Sequence, residues 1–346
     1  MIEVAVIGLG MMGRNHLRVL HDLEGVKLVA VCDEDANAAQ AAAQKYSVEG
    51  FTSYRKLIDR KGLDAVVVAV PTRAHLDVAR EALDHGLHVL VEKPIAADLD
   101  QGRELIEAAK RNGRLLAVGH VERFNPAVRE LVARIGAGDL GRIFQVQSRR
   151  QGPFPQRIRD VGVVIDLGTH DLDVLRHIVG YDVTRLYAET EQRIHTEHED
   201  MLNAVLRFEN GVIGVVQVNW LSPVKVRELS VLGEGGLFHV DYLTQELTLF
   251  KNAQADSTLD PARPIDTVTE GEVVRFPITS AEPLRLELTS FMEAVSGKDE
   301  VEVGGEDGLH ALHLALALVE SASEHRVFDR GDLAQLWSRP LRARMA

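Results

Sequence analysis

The strand-like run Ile2–Ile7 leads directly into Gly8-Leu9-Gly10-Met11-Met12-Gly13, and a helical pattern opens at once behind it, Asn15–Leu23. A G-x-G-x-x-G at a strand-to-helix junction restricts the fold more than any other feature of the chain. Gly8 permits the tight turn, Gly10 allows a ligand to approach the backbone, and Gly13 lets helix and strand pack closely. Further apolar runs follow at Lys27–Cys32, Ala65–Val70, His88–Val91 and Leu115–Val118, separated by helix-length segments. Short apolar runs alternating with helices predict an α/β Rossmann domain with a doubly wound parallel sheet.

Beyond about residue 120 the texture changes. One helical stretch, Pro126–Ile135, precedes alternating segments at 143–150, 183–193, 201–209, 212–220, 225–232, 236–241 and 246–250. Asn210-Gly211 is a hairpin signal between two of them. These predict an α+β second domain with a large, mostly antiparallel, open-faced sheet, and a helix over 165–178 at its edge or at the domain boundary. Residues 253–272 read as an exposed loop, and helices over 283–295 and 306–324 close the chain. The expected division is 1–122 for the Rossmann domain and 123–346 for substrate binding and oligomerisation.

The chain has 346 residues, 45% hydrophobic and 26% charged, with a formal charge of −13. That charge repels nucleic acid and anionic lipid, so neither is an expected partner. No apolar run reaches the roughly 20 residues that span a bilayer. The N-terminus carries no signal-peptide pattern, and the single cysteine, Cys32, cannot form an internal disulfide; a cytoplasmic location is expected.

The glycine-rich turn is expected to hold a dinucleotide diphosphate at a helix N-terminus, with Met11 and Met12 flanking it. Asp33 stands twenty residues beyond Gly13 at the end of the second strand, placed to accept from ribose hydroxyls and to repel a 2′-phosphate, which favours NAD over NADP. Its alternative role is to cap the next helix. Pro71-Thr72-Arg73-Ala74-His75 and Glu92-Lys93-Pro94 follow later strands at the carboxyl edge. Pro71, Thr72, His75, Glu92 and Lys93 are therefore candidate cofactor contacts, although His75 serves equally well as a surface residue. Lys93 can also hydrogen-bond a substrate hydroxyl. Asp166 and His170 stand four apart on one face of a helix start, a spacing suited to a base and its orienting group.

The ordered set of G-x-G-x-x-G, Asp33, Pro71 to His75, Glu92-Lys93-Pro94, Gly119-His120 and Asp166-x-x-x-His170 resembles the glucose-fructose oxidoreductase, inositol dehydrogenase and MocA (Gfo/Idh/MocA) family across essentially the whole chain. The resemblance implies an NAD-dependent dehydrogenase acting on CH–OH groups. In it His170 takes the hydroxyl proton, Lys93 positions and polarises the oxygen, Asp166 orients the site, and the hydride passes to the nicotinamide. Where the family often has a glycine-rich run before the aspartate, this chain has Val161-Gly162-Val163-Val164-Ile165.

Segments 119–126 and 152–162 further resemble a branch that oxidises UDP-linked amino sugars to 3-keto products. Arg149, Arg150, Arg157 and Arg159 give that branch a rationale, since guanidinium groups bind diphosphates bidentately. Arg123 and Asn125 are expected to face the same substrate. UDP-N-acetylglucosamine is the favoured substrate, with UDP-N-acetylglucosaminuronate close behind. A free polyol such as an inositol is the alternative, and a noncatalytic NAD-binding sensor is the reading of a different class. Joint retention of Lys93, Asp166 and His170 speaks against a sensor. A metal held by Asp166, His170 and His177, or by His195, His198 and Glu199, lacks any cysteine support, so no metal is expected. The broad sheet face fits a homodimer or homotetramer.

Overall fold

In a computed structural model, which describes residues 1–155, 161–194, 197–253 and 271–338, the apolar runs of the first third become strands buried on both faces. Val4, Ala5, Val6 and Ala65 to Val68 are all fully buried. The strands are β1 (Ile2–Ile7), β2 (Val26–Cys32), β3 (Glu49–Phe51), β4 (Ala65–Val68), β5 (His88–Glu92) and β6 (Leu116–Gly119), all parallel, in the order β3-β2-β1-β4-β5-β6. Between them run α1 (Met11–His21), α2 (Ala36–Tyr46), α3 (Tyr54–Ile58), α4 (His75–Asp84) and α5 (Leu99–Asn112). Strand order reverses at β1 and β4, the switch point where open α/β sheets bind ligands. Cys32 ends β2 in the core, where burial above all, with Asp33 and Glu34 adding to it, pushes its thiol up to about 11. That rules out ready thiolate chemistry at neutral pH.

The second sheet follows α6 (Pro126–Gly136). It contains β7 (Ile143–Pro153), then, after α7 (Thr169–Val179), β8 (Val183–Glu191), β9 (Met201–Phe208), β10 (Ile213–Asn219), β11 (Leu221–Gly233), β12 (Gly236–Asp241), β13 (Glu246–Lys251) and β14 (Val273–Arg275). The order is β14-β13-β12-β11-β7-β10-β9-β8, antiparallel except where β7 meets β10. Asn210-Gly211 makes the β9–β10 turn, with Gly211 at φ +85° and Val212 N–H donating to Asn210 Oδ1 at 3.2 Å. Alternation puts Leu202, Ala204 and Leu206 on the buried face, while Val205 on the other face is 53% exposed. Most of the loop expected over 253–272 lies outside the described residues.

The last helices are α8 (Pro283–Val295), α9 (Gly305–Glu324) and α10 (Arg330–Ser338). One compact unit comprises Met1–Phe124, Ala281–Leu316 and the chain from Ala334; the other comprises Asn125–Ser280 and Ala317–Leu333. The chain leaves the first unit near the expected 122/123 division and returns to it at Ala281. Leu284, Leu288, Phe291 and Met292 of α8 join Leu17 and Leu20 of α1 in the core of the first unit, each such side chain contributing about 1.5–3 kcal/mol of burial. Among the described residues no helix is long and apolar enough to cross a membrane.

Candidate active site

Leaving β1, the chain turns at Gly8 with φ +93°, and a Cβ there would stand 2.5 Å from the Ala69 carbonyl oxygen. Gly13, in the first turn of α1, sits so close beneath the loop that a Cβ would lie 1.8 Å from the Gly8 oxygen. Gly10 differs, because a Cβ on it would meet nothing within 4 Å. Two glycines thus close the turn, and the third keeps open the approach to its backbone. No side chain caps α1, and its first turn holds no acidic residue, so its N-terminal N–H groups and helix dipole suit a diphosphate. Met11 is exposed and Met12 half-buried beside them.

Asp33 stands at the same level of the neighbouring strand, since Ile7 pairs with Cys32. Its Oδ2 accepts from the Leu9 N–H at 2.7 Å and its Oδ1 from the Asp35 N–H at 2.9 Å. The cap of α2 is Asp35, which accepts from the Asn37 N–H at 2.9 Å, so Asp33 is not spent on capping. It fastens the glycine turn and keeps acceptor capacity on each oxygen for ribose hydroxyls. Asp33→Ala should weaken NAD binding roughly tenfold, ~1.4 kcal/mol, and reduce the preference over NADP. Titration with both dinucleotides checks this, and an unchanged preference would remove Asp33 from the site.

After β4, exposed Pro71 and half-buried Thr72 enter a short 3-10 turn, Thr72–Ala74. His75 is not at the surface. It is 1% exposed, with Nδ1 2.9 Å from the Pro94 oxygen and Nε2 3.0 Å from the Val70 oxygen. Burial holds the imidazole below its ordinary value against the pull of those carbonyls, and a neutral ring can donate to only one of them. His75 thus ties the loops that follow β4 and β5 together. Glu92 also turns inward: its Oε1 lies 2.7 Å from His16 Nε2, and its Oε2 accepts from the Lys93 N–H at 3.3 Å. A Cβ on Gly119 would stand 3.1 Å from that carboxylate. Lys93, half-buried, follows it at the carboxyl edge.

In the second unit, Asp166 and His170 do not share a plain α-helix. Val164–Gly168 form a π-helical turn that runs into α7, with Asp166 in the turn and His170 in the first turn of α7. Such turns are rare and concentrate at functional sites. Glu199 braces this start: its backbone oxygen accepts from the Val163 N–H at 2.9 Å, and its Oε1 from the Val164 N–H at 3.2 Å. A Cβ on Gly162 would fall 2.0 Å from Glu199 Oε1. The one glycine kept from the family's glycine-rich run therefore makes room for a carboxylate at a helix N-terminus, a favourable placement. Glu199, read from sequence only as a candidate chelator, is the supporting residue that the sequence analysis missed.

Arg149 and Arg150 of the arginine cluster are parted by the strand that carries them. Adjacent strand residues point to opposite faces, so Arg149 lies on the open face against Glu228 at 3.0 Å, while Arg150 is buried against Asp171 at 2.9 Å. Arg123, 5% exposed, pairs with Asp307 at 3.0 Å within the first unit. Asn125 caps α6 by accepting from the Ala127 N–H, and donates from Nδ2 to the Tyr242 oxygen. Arg149, Arg123 and Asn125 thus each have a structural partner. Arg157, Arg159 and His195 lie outside the described residues.

Residues 2–120 match the oxidoreductase family with an NAD-binding Rossmann fold, GFO_IDH_MocA, and residues 132–329 match that family's C-terminal alpha/beta domain. The chain belongs to the Gfo/Idh/MocA family. It is an oxidoreductase whose N-terminal domain binds NAD. Among its relatives are the UDP-N-acetylglucosamine 3-dehydrogenase of Acidithiobacillus ferrooxidans, 26% identical over 91% of this chain and 95% of that one, and the scyllo-inositol 2-dehydrogenase (NAD(+)) of Bacillus subtilis, 29% identical over 72% and 76%. The solved structure of the former superposes with a TM-score of 0.81, 25% identity, and coverage of 96% of this chain and 99% of that one. The WlbA dehydrogenase of Bordetella pertussis, in complex with NADH and UDP-GlcNAcA, gives a TM-score of 0.78 at 25% identity, covering 95% and 98%.

Proposed function

We propose that this Gfo/Idh/MocA protein oxidises the 3-hydroxyl of a UDP-N-acetylglucosamine-like sugar nucleotide to a ketone in the cytoplasm. The observation that carries the reading is the extent of the similarity. Likeness to the UDP-N-acetylglucosamine 3-dehydrogenase covers 91% of the chain, whereas that to the scyllo-inositol 2-dehydrogenase covers 72%.

When bound, NAD accepts the hydride that leaves the substrate carbon. His170 takes the hydroxyl proton, which gives the oxygen's electrons to the new carbonyl. Asp166, one helical turn earlier, orients the imidazole. Lys93 donates a hydrogen bond to the reacting oxygen and stabilises the negative charge that gathers there. Arg157 and Arg159 remain the candidates for the diphosphate, because Arg149, Arg123 and Asn125 are engaged elsewhere. The open sheet face, with Val205, Leu232 and Phe250 exposed on it, is the surface through which a homodimer or homotetramer would form.

The test is NADH formation by purified protein with UDP-N-acetylglucosamine, UDP-N-acetylglucosaminuronate or myo-inositol. Turnover is expected with a UDP-sugar, and Arg157→Ala with Arg159→Ala should raise its KM. Turnover with the inositol alone would overturn the substrate assignment and leave the oxidoreductase in place.

A further inference from the structure

One helix of the first unit carries an acid where its pattern calls for an apolar residue. The buried stripe of α8 is Leu284, Glu287, Leu288 and Phe291, and Glu287 is 3% exposed. Neither of its carboxyl oxygens has a hydrogen-bond partner. An unsatisfied buried polar group destabilises the fold that holds it, and this acid is one. A second such group lies on α1, the helix that packs against α8: His16 is fully buried and its Nδ1 also has no partner. The other nitrogen of that ring is 2.7 Å from Glu92, the residue before Lys93.

The protonation states follow from these contacts. Burial works to raise Glu92, but the His16 hydrogen bond and nearby positive charge, that of Lys93 included, outweigh it and hold the carboxyl below its ordinary value. Glu92 is thus an acceptor only, and His16 must donate from Nε2. Glu287 goes the other way, pushed well above its ordinary value by burial and then by the charge of Glu92. Two charges on elements packed against α8 are paired, Arg18 with Glu282 and Arg123 with Asp307.

We propose that His16 and Glu287 are positioning residues for Lys93: Glu287 stays a neutral acid, leaving Glu92 the one negative charge of the set, and His16 anchors the Glu92 carboxylate that accepts from the Lys93 N–H. The effect on turnover rests on the role of Lys93 in the proposed function; the arrangement itself does not. Ionising Glu287 sets its charge against that of Glu92 and loosens the Lys93 turn.

The full-length protein tests this without substrate. Infrared spectra at neutral pH should show a protonated-carboxyl band that vanishes in Glu287→Gln, and hydrogen exchange at the Lys93 amide should quicken in His16→Leu and recover in His16→Gln, whose amide can still donate to Glu92. In turnover, His16→Leu should lose on the order of a hundredfold in kcat with NAD affinity kept. Glu287→Gln should lack the alkaline decline of the wild type. Stability gives the same sign. The unfolded acid sheds its proton above about 4.5 while the folded one keeps it, so wild-type stability falls as pH rises through that window and that of Glu287→Gln does not. No band lost in Glu287→Gln, or Lys93 exchange unchanged in His16→Leu, would overturn the proposal. Both readouts as expected, with no turnover of any sugar, would count against the proposed function and leave this one standing.

Discussion

His170→Ala should lower kcat roughly a hundred- to ten-thousand-fold, the usual worth of a positioned general base, while NAD affinity stays within about twofold of the wild type. The asymmetry follows from where the residue is built. His170 belongs to the first turn of α7 in the second unit, whereas the glycine turn and Asp33 belong to the first. Lys93→Met should give a comparable loss of turnover with the fold intact, since the Lys93 side chain is half-exposed at a strand end. Steady-state kinetics beside a dinucleotide titration separates the two effects. A His170 variant with full activity on the true substrate would remove the acid/base assignment, and equal loss of NAD binding would point to a collapsed domain.

The second large effect divides two glycines of one motif. Gly13→Ala should destabilise the protein by several kcal/mol or prevent folding, because the new methyl group would meet backbone, the Gly8 oxygen at 1.8 Å, and backbone cannot rotate away as a side chain can. Gly10→Ala puts its methyl in open space. It should melt within a few degrees of the wild type yet bind NAD at least about tenfold more weakly, because the methyl occupies the approach to the helix N-terminus. Thermal melts with and without NAD distinguish them. If both variants melted alike and bound alike, the separate roles given to the closing and the open glycine would be wrong.

These contrasts mark how far the sequence can be read. The parallel sheet was legible because strands buried on both faces leave continuous apolar runs. β3 was not, because Glu49-Gly50-Phe51 is too short to show a period. The return of α8 to the first unit was also hidden, since an apolar stripe announces burial without naming the surface it covers. At the site, spacing located Asp166 and His170 but not the π-helical turn between them, which depends on a carboxylate more than thirty residues later in the chain. The parting of Arg149 from Arg150 was hidden for a simpler reason. Neighbours in sequence are on opposite faces of a strand, and that alternation alone parts Arg149 from Arg150. His75 and Glu92 stood at the right edge, yet their side chains turn into the protein, and only contacts such as His75 to Pro94 and Glu92 to His16 reveal it.

The most direct measurement is mass spectrometry of the reduced dinucleotide formed from NAD and UDP-N-acetylglucosamine carrying deuterium on carbon 3. Hydride transfer from that carbon predicts label in the reduced cofactor and a 3-keto sugar nucleotide as the other product. Unlabelled reduced cofactor, with the deuterium still on the sugar, would contradict the assignment of the reacting carbon and with it the central claim.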